Sequence, residues 1–210
     1  MTVTEVREIS RQKVCVEFDH QLTLVLYRGE LKRYGLREGA EVPDGLPDEI
    51  EEQVLRKRAT RYAMNLLAKR DYAARELRDK LCRAGYTEET AGHALAYVTS
   101  FGYINDADYA RRYLETYSDR KSLRRMEADL RQKGISEEIL VSAMAEADCT
   151  DEKETLRRYA VKKAAALDLS LEKNRQKFFQ YLTGKGFSYG DVKDVLEELQ
   201  AEGYCERSEQ

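Results

Sequence analysis

Thirty-six lysines and arginines, four cysteines and two histidines are the side chains of this 210-residue chain whose placement decides what chemistry it can do. The cysteines Cys15, Cys82, Cys149 and Cys205 fall without any CxxC spacing, and only His20 and His93 could join them. Neither a structural zinc site nor a disulfide framework is therefore expected. No GxxxxGKS/T phosphate loop, no GxGxxG after a strand and no HExxH occurs, which argues against nucleotide hydrolysis and metal-assisted hydrolysis by the chain itself. His93 lies between Ala91 and Leu95 with no acid, base or nucleophile grouped around it, and reads as a surface or boundary residue. The expectation is a protein that is not an enzyme and that holds neither metal nor cofactor. A helical enzyme with dispersed carboxylates stays a weaker alternative, which turnover by the isolated protein would revive.

What remains is charge. The net charge of −3 rules out binding to nucleic acid through an overall positive field, so any such contact must come from local clusters. The order of charges supplies them. Arg56 to Arg83 holds ten basic residues against three acidic ones, and Arg111 to Lys133 holds eight against four, with the same trend from Lys153 to Lys185. From Ala84 to Ala110, and again from Gly134 to Glu152, no Lys or Arg occurs. Acidic residues fill those windows: Glu88, Glu89, Asp106 and Asp108 in the first, then Glu137, Glu138, Glu146, Asp148, Asp151 and Glu152. The candidate ligands for phosphate or an acidic protein surface are Arg75, Arg78, Lys80, Arg83, Arg111, Arg112, Arg120, Lys121, Arg124 and Arg125. Acidic residues in a helix's first turn also complement its dipole, and charged faces are often simply solvated.

The elements that must position these groups divide into a head and three copies of one unit. Within residues 1–47, Val14, Val16 and Phe18 alternate with Cys15 and Glu17, and Leu22, Leu24 and Leu26 alternate with Thr23 and Val25. Two strands joined by a hairpin turn at Asp19, His20 and Gln21 follow from this pattern. GELKRYGL offers a short helix ending at Gly35, and Val42 to Pro47 reads as a linker. Both prolines, Pro43 and Pro47, lie there, so long uninterrupted helices are expected afterwards.

Beyond the linker, apolar residues stand eight and four positions before a glycine three times: Leu77, Leu81, Gly85; Met126, Leu130, Gly134; Phe178, Leu182, Gly186. An apolar pair four apart marks one helix face, and glycine ends a helix in the left-handed conformation. Tyr86, Ile135 or Phe187 follows, then a hydroxyl residue, Thr87, Ser136 or Ser188, suited to cap the next helix. The buried stripe of that helix repeats as Ala91, Ala94, Leu95, Val98; Leu140, Ala143, Met144, Ala147; and Val192, Val195, Leu196, Leu199. Upstream of each pair lies a further amphipathic helix; the one beginning at Asn105 or Asp106 is expected to bury Tyr109, Ala110, Tyr113, Leu114 and Tyr117. Most of the fourteen tyrosines read as such half-core residues rather than base-stacking platforms. The expected fold is mainly all-α: a β-rich head over 1–47, then three-helix repeats over 48–104, 105–150 and 151–210 in an elongated curved array. FGYINDADY from Phe101 matches EGYCERSEQ from Glu202, with Gly203 and Tyr204 where a fourth unit would begin. In such a stack, equivalent helices would form one basic and one acidic edge.

GYINDADYARRYLE from Gly102 to Glu115, with ELRDKLCRAGY from Glu76 to Tyr86, resembles the RecX family across roughly residues 48–204. The head, with KRYGLREG from Lys32 to Gly39, is similar to the N-terminal extension of longer members. The resemblance implies a regulator of the RecA recombinase that lies along the RecA–single-stranded DNA filament and alters its assembly and ATP-coupled strand exchange, in homologous recombination, DNA repair and the SOS response. Inhibition and support of the filament both stay open. A monomer in the cytoplasm is expected, with no membrane contact, since the N-terminus lacks an apolar core segment and no apolar run spans a bilayer. The alternative is a helical module that grips nucleic acid directly, without a recombinase.

Overall fold

Alternating apolar residues build the N-terminal sheet. In the computed structural model, which describes residues 1–19, 22–147 and 152–202, strands β1 (Val3–Glu8), β2 (Lys13–Phe18) and β3 (Thr23–Tyr27) pair antiparallel in that order. Val14 stands opposite Leu26 and Val16 opposite Leu24, so these four share a face. With Val3, Phe18, Leu36, Ile50 and Leu55 they form the core of the head. β2 and β3 are the two runs expected from alternation; of the turn between them only Asp19 is among the described residues. β1 is the strand alternation does not reveal. Its register shifts between Val3 and Glu5, and only Val3 in it is fully buried, which breaks the period of two. Helix α1 (Arg28–Tyr34) closes at Gly35, whose φ of +65° is the left-handed ending read from GELKRYGL.

Helix α2 (Leu46–Ile50) begins inside the stretch read as a linker, with Pro47 in its first turn, where a missing N–H is harmless. A π-helical stretch, Glu51–Leu55, and α3 (Arg56–Leu67) continue it without a break. Ile50 and Leu55 enter the core of the head, whereas Ala59 and Ala63 enter the core of the helices that follow. The head also clamps this rod through Arg58. Its guanidinium pairs with Glu30 at 2.9 Å, donates to the Val25 carbonyl at 2.7 Å and lies 4.6 Å from the centre of the Tyr27 ring. Residues Met1–Asn105 thus form one compact unit, and Asp106–Gln210 form the other.

The first unit continues with α4 (Ala74–Arg83) and α5 (Glu88–Ser100). The second contains α6 (Asp106–Tyr117), α7 (Leu123–Gln132), α8 (Glu137–Glu146), α9 (Glu152–Ala164), α10 (Glu172–Gly184) and α11 (Tyr189–Ala201). Gly85, Gly134 and Gly186 all have positive φ, at 97°, 89° and 98°. After each, the next amide reaches back to the helix: Tyr86 to Leu81 at 3.3 Å, Ile135 to Leu130 at 3.1 Å and Phe187 to Leu182 at 3.4 Å. This is the Schellman ending that the spacing requires. Thr87, Ser136 and Ser188 then cap α5, α8 and α11 by accepting from the amides of Thr90, Ile139 and Asp191. The expected β-rich head followed by three three-helix repeats is therefore the observed fold.

Local departures have packing reasons. First helices bury alanines against third helices: α3 packs on α5, α6 on α8 and α9 on α11. Ala59, Ala63, Ala110 and Ala160 are wholly buried, so backbones approach closely and the larger Tyr109, Tyr113 and Tyr117 are left half-buried at the margin. Helix α8 stops at Glu146, which leaves Ala147 an extended cap residue instead of a stripe position. His93 is exposed, as expected. Asp148, Cys149, Asp151, Gly203, Tyr204 and Cys205 lie outside the described residues.

Within the second unit the two repeats meet at a glycine. The Ser122 amide donates to the Lys185 carbonyl at 3.3 Å, and a Cβ added to Gly186 would collide with Ser122 Oγ and stand 2.5 Å from Arg125 Cβ.

Candidate functional site

On the first helices Ala59 and Ala63, Ala110 and Leu114, and Ala160 and Ala164 are buried. Two residues past Ala59, Ala110 and Ala160 stand Arg61, Arg112 and Lys162, all exposed. Each first helix thus carries an outward-facing cation. On the second helices, Arg75 and Arg124 are equivalent and exposed, two residues before the buried Leu77 and Met126. The third copy has Gln176 there.

The ten sequence candidates separate by what already holds them. Arg75, Arg120 and Arg124 are exposed and have no carboxylate partner among the described residues. Arg83 is exposed and donates to the Asp79 carbonyl. Arg78 bridges to Glu88 at 2.5 Å, Arg111 pairs with Asp108, and Arg125 pairs with Asp129 at 3.1 Å. Arg112 donates to the Asp108 carbonyl at 3.3 Å. Lys80 is half-buried with its ammonium 5.5 Å from the centre of the Tyr72 ring. Lys121 is the most enclosed. Its ammonium donates to Asp129 and to the Tyr113 hydroxyl, each at 2.7 Å, and lies over the Tyr117 ring at 4.4 Å. Sequence reasoning missed Arg61 and Lys162, because only the second and third helices carry the glycine and hydroxyl markers that set a register.

In the first two repeats, acidic residues of the third helices meet cations of neighbouring helices. Arg56 reaches Glu89 at 2.8 Å, Arg78 reaches Glu88, and Arg131 reaches Glu137 at 2.8 Å, so the acidic first turns of α5 and α8 neutralise cations of neighbouring helices. These pairs are open to solvent, where screening leaves little net stabilisation. Their larger effect is to leave Arg61, Arg75, Arg120, Arg124 and Lys162 as the cations with the weakest claims on them inside the chain.

The Lys121 network also sets a pH dependence. Burial raises the Asp129 carboxyl, but hydrogen bonds from Lys121 and from Tyr113 at 2.9 Å outweigh it and hold the group below the usual carboxylate range. A lowered folded-state pKa means stability that is present above the unfolded value and is lost as the pH falls through the folded one. Asp129→Asn is therefore expected to destabilise the protein at neutral pH, with the difference from wild type shrinking as acid protonates Asp129. Urea midpoints at a series of pH values check this; a difference that does not narrow in acid would remove Asp129 as its source.

Among the described residues, no three His, Cys, Asp or Glu side chains converge as metal ligands, and no helix is long and apolar enough to cross a membrane. The two described cysteines are free, Cys15 buried and Cys82 half-buried, and burial raises the Cys82 thiol.

A small β-sheet followed by three three-helix units defines a helical-repeat protein. Family models describing the first, second and third three-helix domains of RecX match residues 59–97, 105–144 and 151–196. The chain belongs to the RecX family. A protein of Clostridium perfringens strain 13 named regulatory protein RecX is 25% identical over 209 residues, covering 98% of this chain and 99% of its own. One of the same name from Thermus thermophilus is 31% identical over 145 residues, covering 69% of this chain and 94% of its own. In three dimensions, a crystal structure of regulatory protein RecX superposes with a TM-score of 0.59 at 20% identity, over 93% of this chain and 98% of that one. RecX from Lactobacillus salivarius gives 0.55 at 25% identity, over 70% and 97%.

Proposed function

We propose that this protein regulates a RecA-type recombinase by binding the filament that RecA forms on single-stranded DNA, altering its assembly and ATP-coupled strand exchange. It acts as a monomer in the cytoplasm and catalyses no reaction of its own. What supports the reading, beside the family, is that the first helix of each repeat carries an exposed cation, Arg61, Arg112 or Lys162. A polymer offers the same acidic or phosphate group at regular intervals, and a repeat protein can meet it with cations from each copy. Arg75, Arg120 and Arg124 extend the contact, with Arg suited to bidentate pairing.

The test is RecA-driven ATP hydrolysis on single-stranded DNA, titrated with this protein below one copy per recombinase. A change in rate at substoichiometric ratios is the expected result. No change at any ratio, from a sample with the expected helical circular dichroism, would sink the reading. The competing module that grips DNA alone predicts steeply salt-dependent binding to naked DNA with no preference for the filament.

A further inference from the structure

The seam between second and third helices is closed differently in the three repeats. Arg78 and Glu88 bridge it in the first, and Arg131, held by Glu127 and Glu137, bridges it in the second. Counted from the same buried residues and caps, Arg78 and Glu127 correspond to Phe179, and Glu88 and Glu137 correspond to Tyr189. The third repeat therefore replaces an ion pair with two aromatic rings. Their centroids are 4.7 Å apart at an interplanar angle of 27°, so the rings stack. Tyr189 is 66% exposed, so the stack with Phe179 leaves much of its ring open to solvent. A cleft of about 330 Å³ opens there, lined by Glu172, Arg175, Gln176, Phe179, Gln180 and Tyr189.

We infer that this cleft is a stacking site for one base of single-stranded nucleic acid. Every base has a π-face, so a flat, solvent-facing aromatic ring binds it without regard to sequence. Around the rings the walls are polar, which suits a base edge better than an apolar protein side chain. Gln176 and Gln180, one turn apart on α10, present side-chain amide donors and acceptors with no partner among the described residues. Glu172 is paired with Arg175 at 2.7 Å, while Lys173 and Lys177 on the same helix are exposed, have no carboxylate partner among the described residues and can meet the flanking phosphates. The inference deepens the proposed filament reading by naming a contact with DNA, yet it needs no recombinase.

Titrating the full chain into a fluorescently labelled short oligothymidylate at low salt tests it. Tyr189→Ala is expected to lower affinity about tenfold, and Tyr189→Phe to keep it within about twofold, because the ring carries the contact. Phe179→Arg combined with Tyr189→Glu restores the ion-pair chemistry of the first repeat; it should keep the helical circular dichroism and lose affinity as Tyr189→Ala does. Wild-type affinity in Tyr189→Ala, or no oligothymidylate binding by the wild-type chain, overturns the inference. So does weaker filament binding by Tyr189→Ala with unchanged oligothymidylate binding, the mark of a protein side chain in the cleft. The ATP-hydrolysis titration is scored apart: a wild-type effect there beside any of these failures removes the base site and leaves the regulator.

Discussion

Reversing Arg61, Arg75, Arg112 and Arg124 to glutamate is expected to weaken binding to RecA-coated single-stranded DNA by about a hundredfold or more, since each change both removes a cation contact and adds a repulsion. All four are exposed; Arg61 and Arg112 lie on first helices, and Arg75 and Arg124 share one position on second helices. Arg111 and Arg125 are left intact because Asp108 and Asp129 already engage them, and a glutamate in place of Arg125 would face Asp129 and confuse folding with binding. Arg131→Gln is the matched control. That side chain is held by Glu127 and Glu137, so its loss should leave filament affinity within about twofold, as for an internally compensated surface pair. Fluorescence anisotropy of the labelled filament at two salt concentrations reads the effect, with a shallower salt slope expected for the reversal variant. Unchanged affinity in a well-folded reversal variant would remove these positions from the interface.

Gly186→Ala is expected to destabilise the protein by about 3 kcal/mol, well beyond an ordinary turn glycine, because positive-φ strain and a steric collision add. The φ of +98° is strained for alanine, and the new Cβ would meet Ser122 Oγ and Arg125 Cβ, the latter at 2.5 Å. Ser122 cannot retreat easily. It is buried, its hydroxyl accepts from the Arg125 amide to cap α7, and its own amide donates to Lys185. Gly102→Ala is the comparison, with φ +73° and open space around the built Cβ, where about 1 kcal/mol is expected from the backbone alone. Urea unfolding followed by circular dichroism separates the two. Equal losses would mean that the junction yields and that Gly186 does no more than end a helix.

The sequence made the repeats legible because each copy carries punctuation with a mechanism. Gly85, Gly134 and Gly186 end helices in the left-handed region, and Thr87, Ser136 and Ser188 cap the next ones, so register could be read without an alignment of relatives. The first helices lack such marks. Their core residues are small, such as Ala59, Ala110 and Ala160, and their role appears only when the facing helix is seen. That is why Arg61 and Lys162 were not picked out, while Lys121 looked as available as its neighbours. Charge periodicity was visible too, but not its cancellation, since Arg78 with Glu88 and Arg56 with Glu89 are pairs made by the fold. β1 escaped because a register shift after Val3 hides its alternation.

The unbroken rod from Leu46 through the π-helical stretch to Leu67 gives the N-terminal extension a standing its length would not suggest. Ile50 and Leu55 belong to one hydrophobic core, Ala59 and Ala63 to another, and Arg58 between them is pinned by Glu30 and Val25. A cut before Leu55 would split the head core, one after Ala59 would split the core of the first repeat, and one between them would sever the rod next to the Arg58 clamp. The extension is therefore no removable ornament: a version trimmed to the repeats alone would start with a frayed first helix and bare apolar surface where the sheet had been.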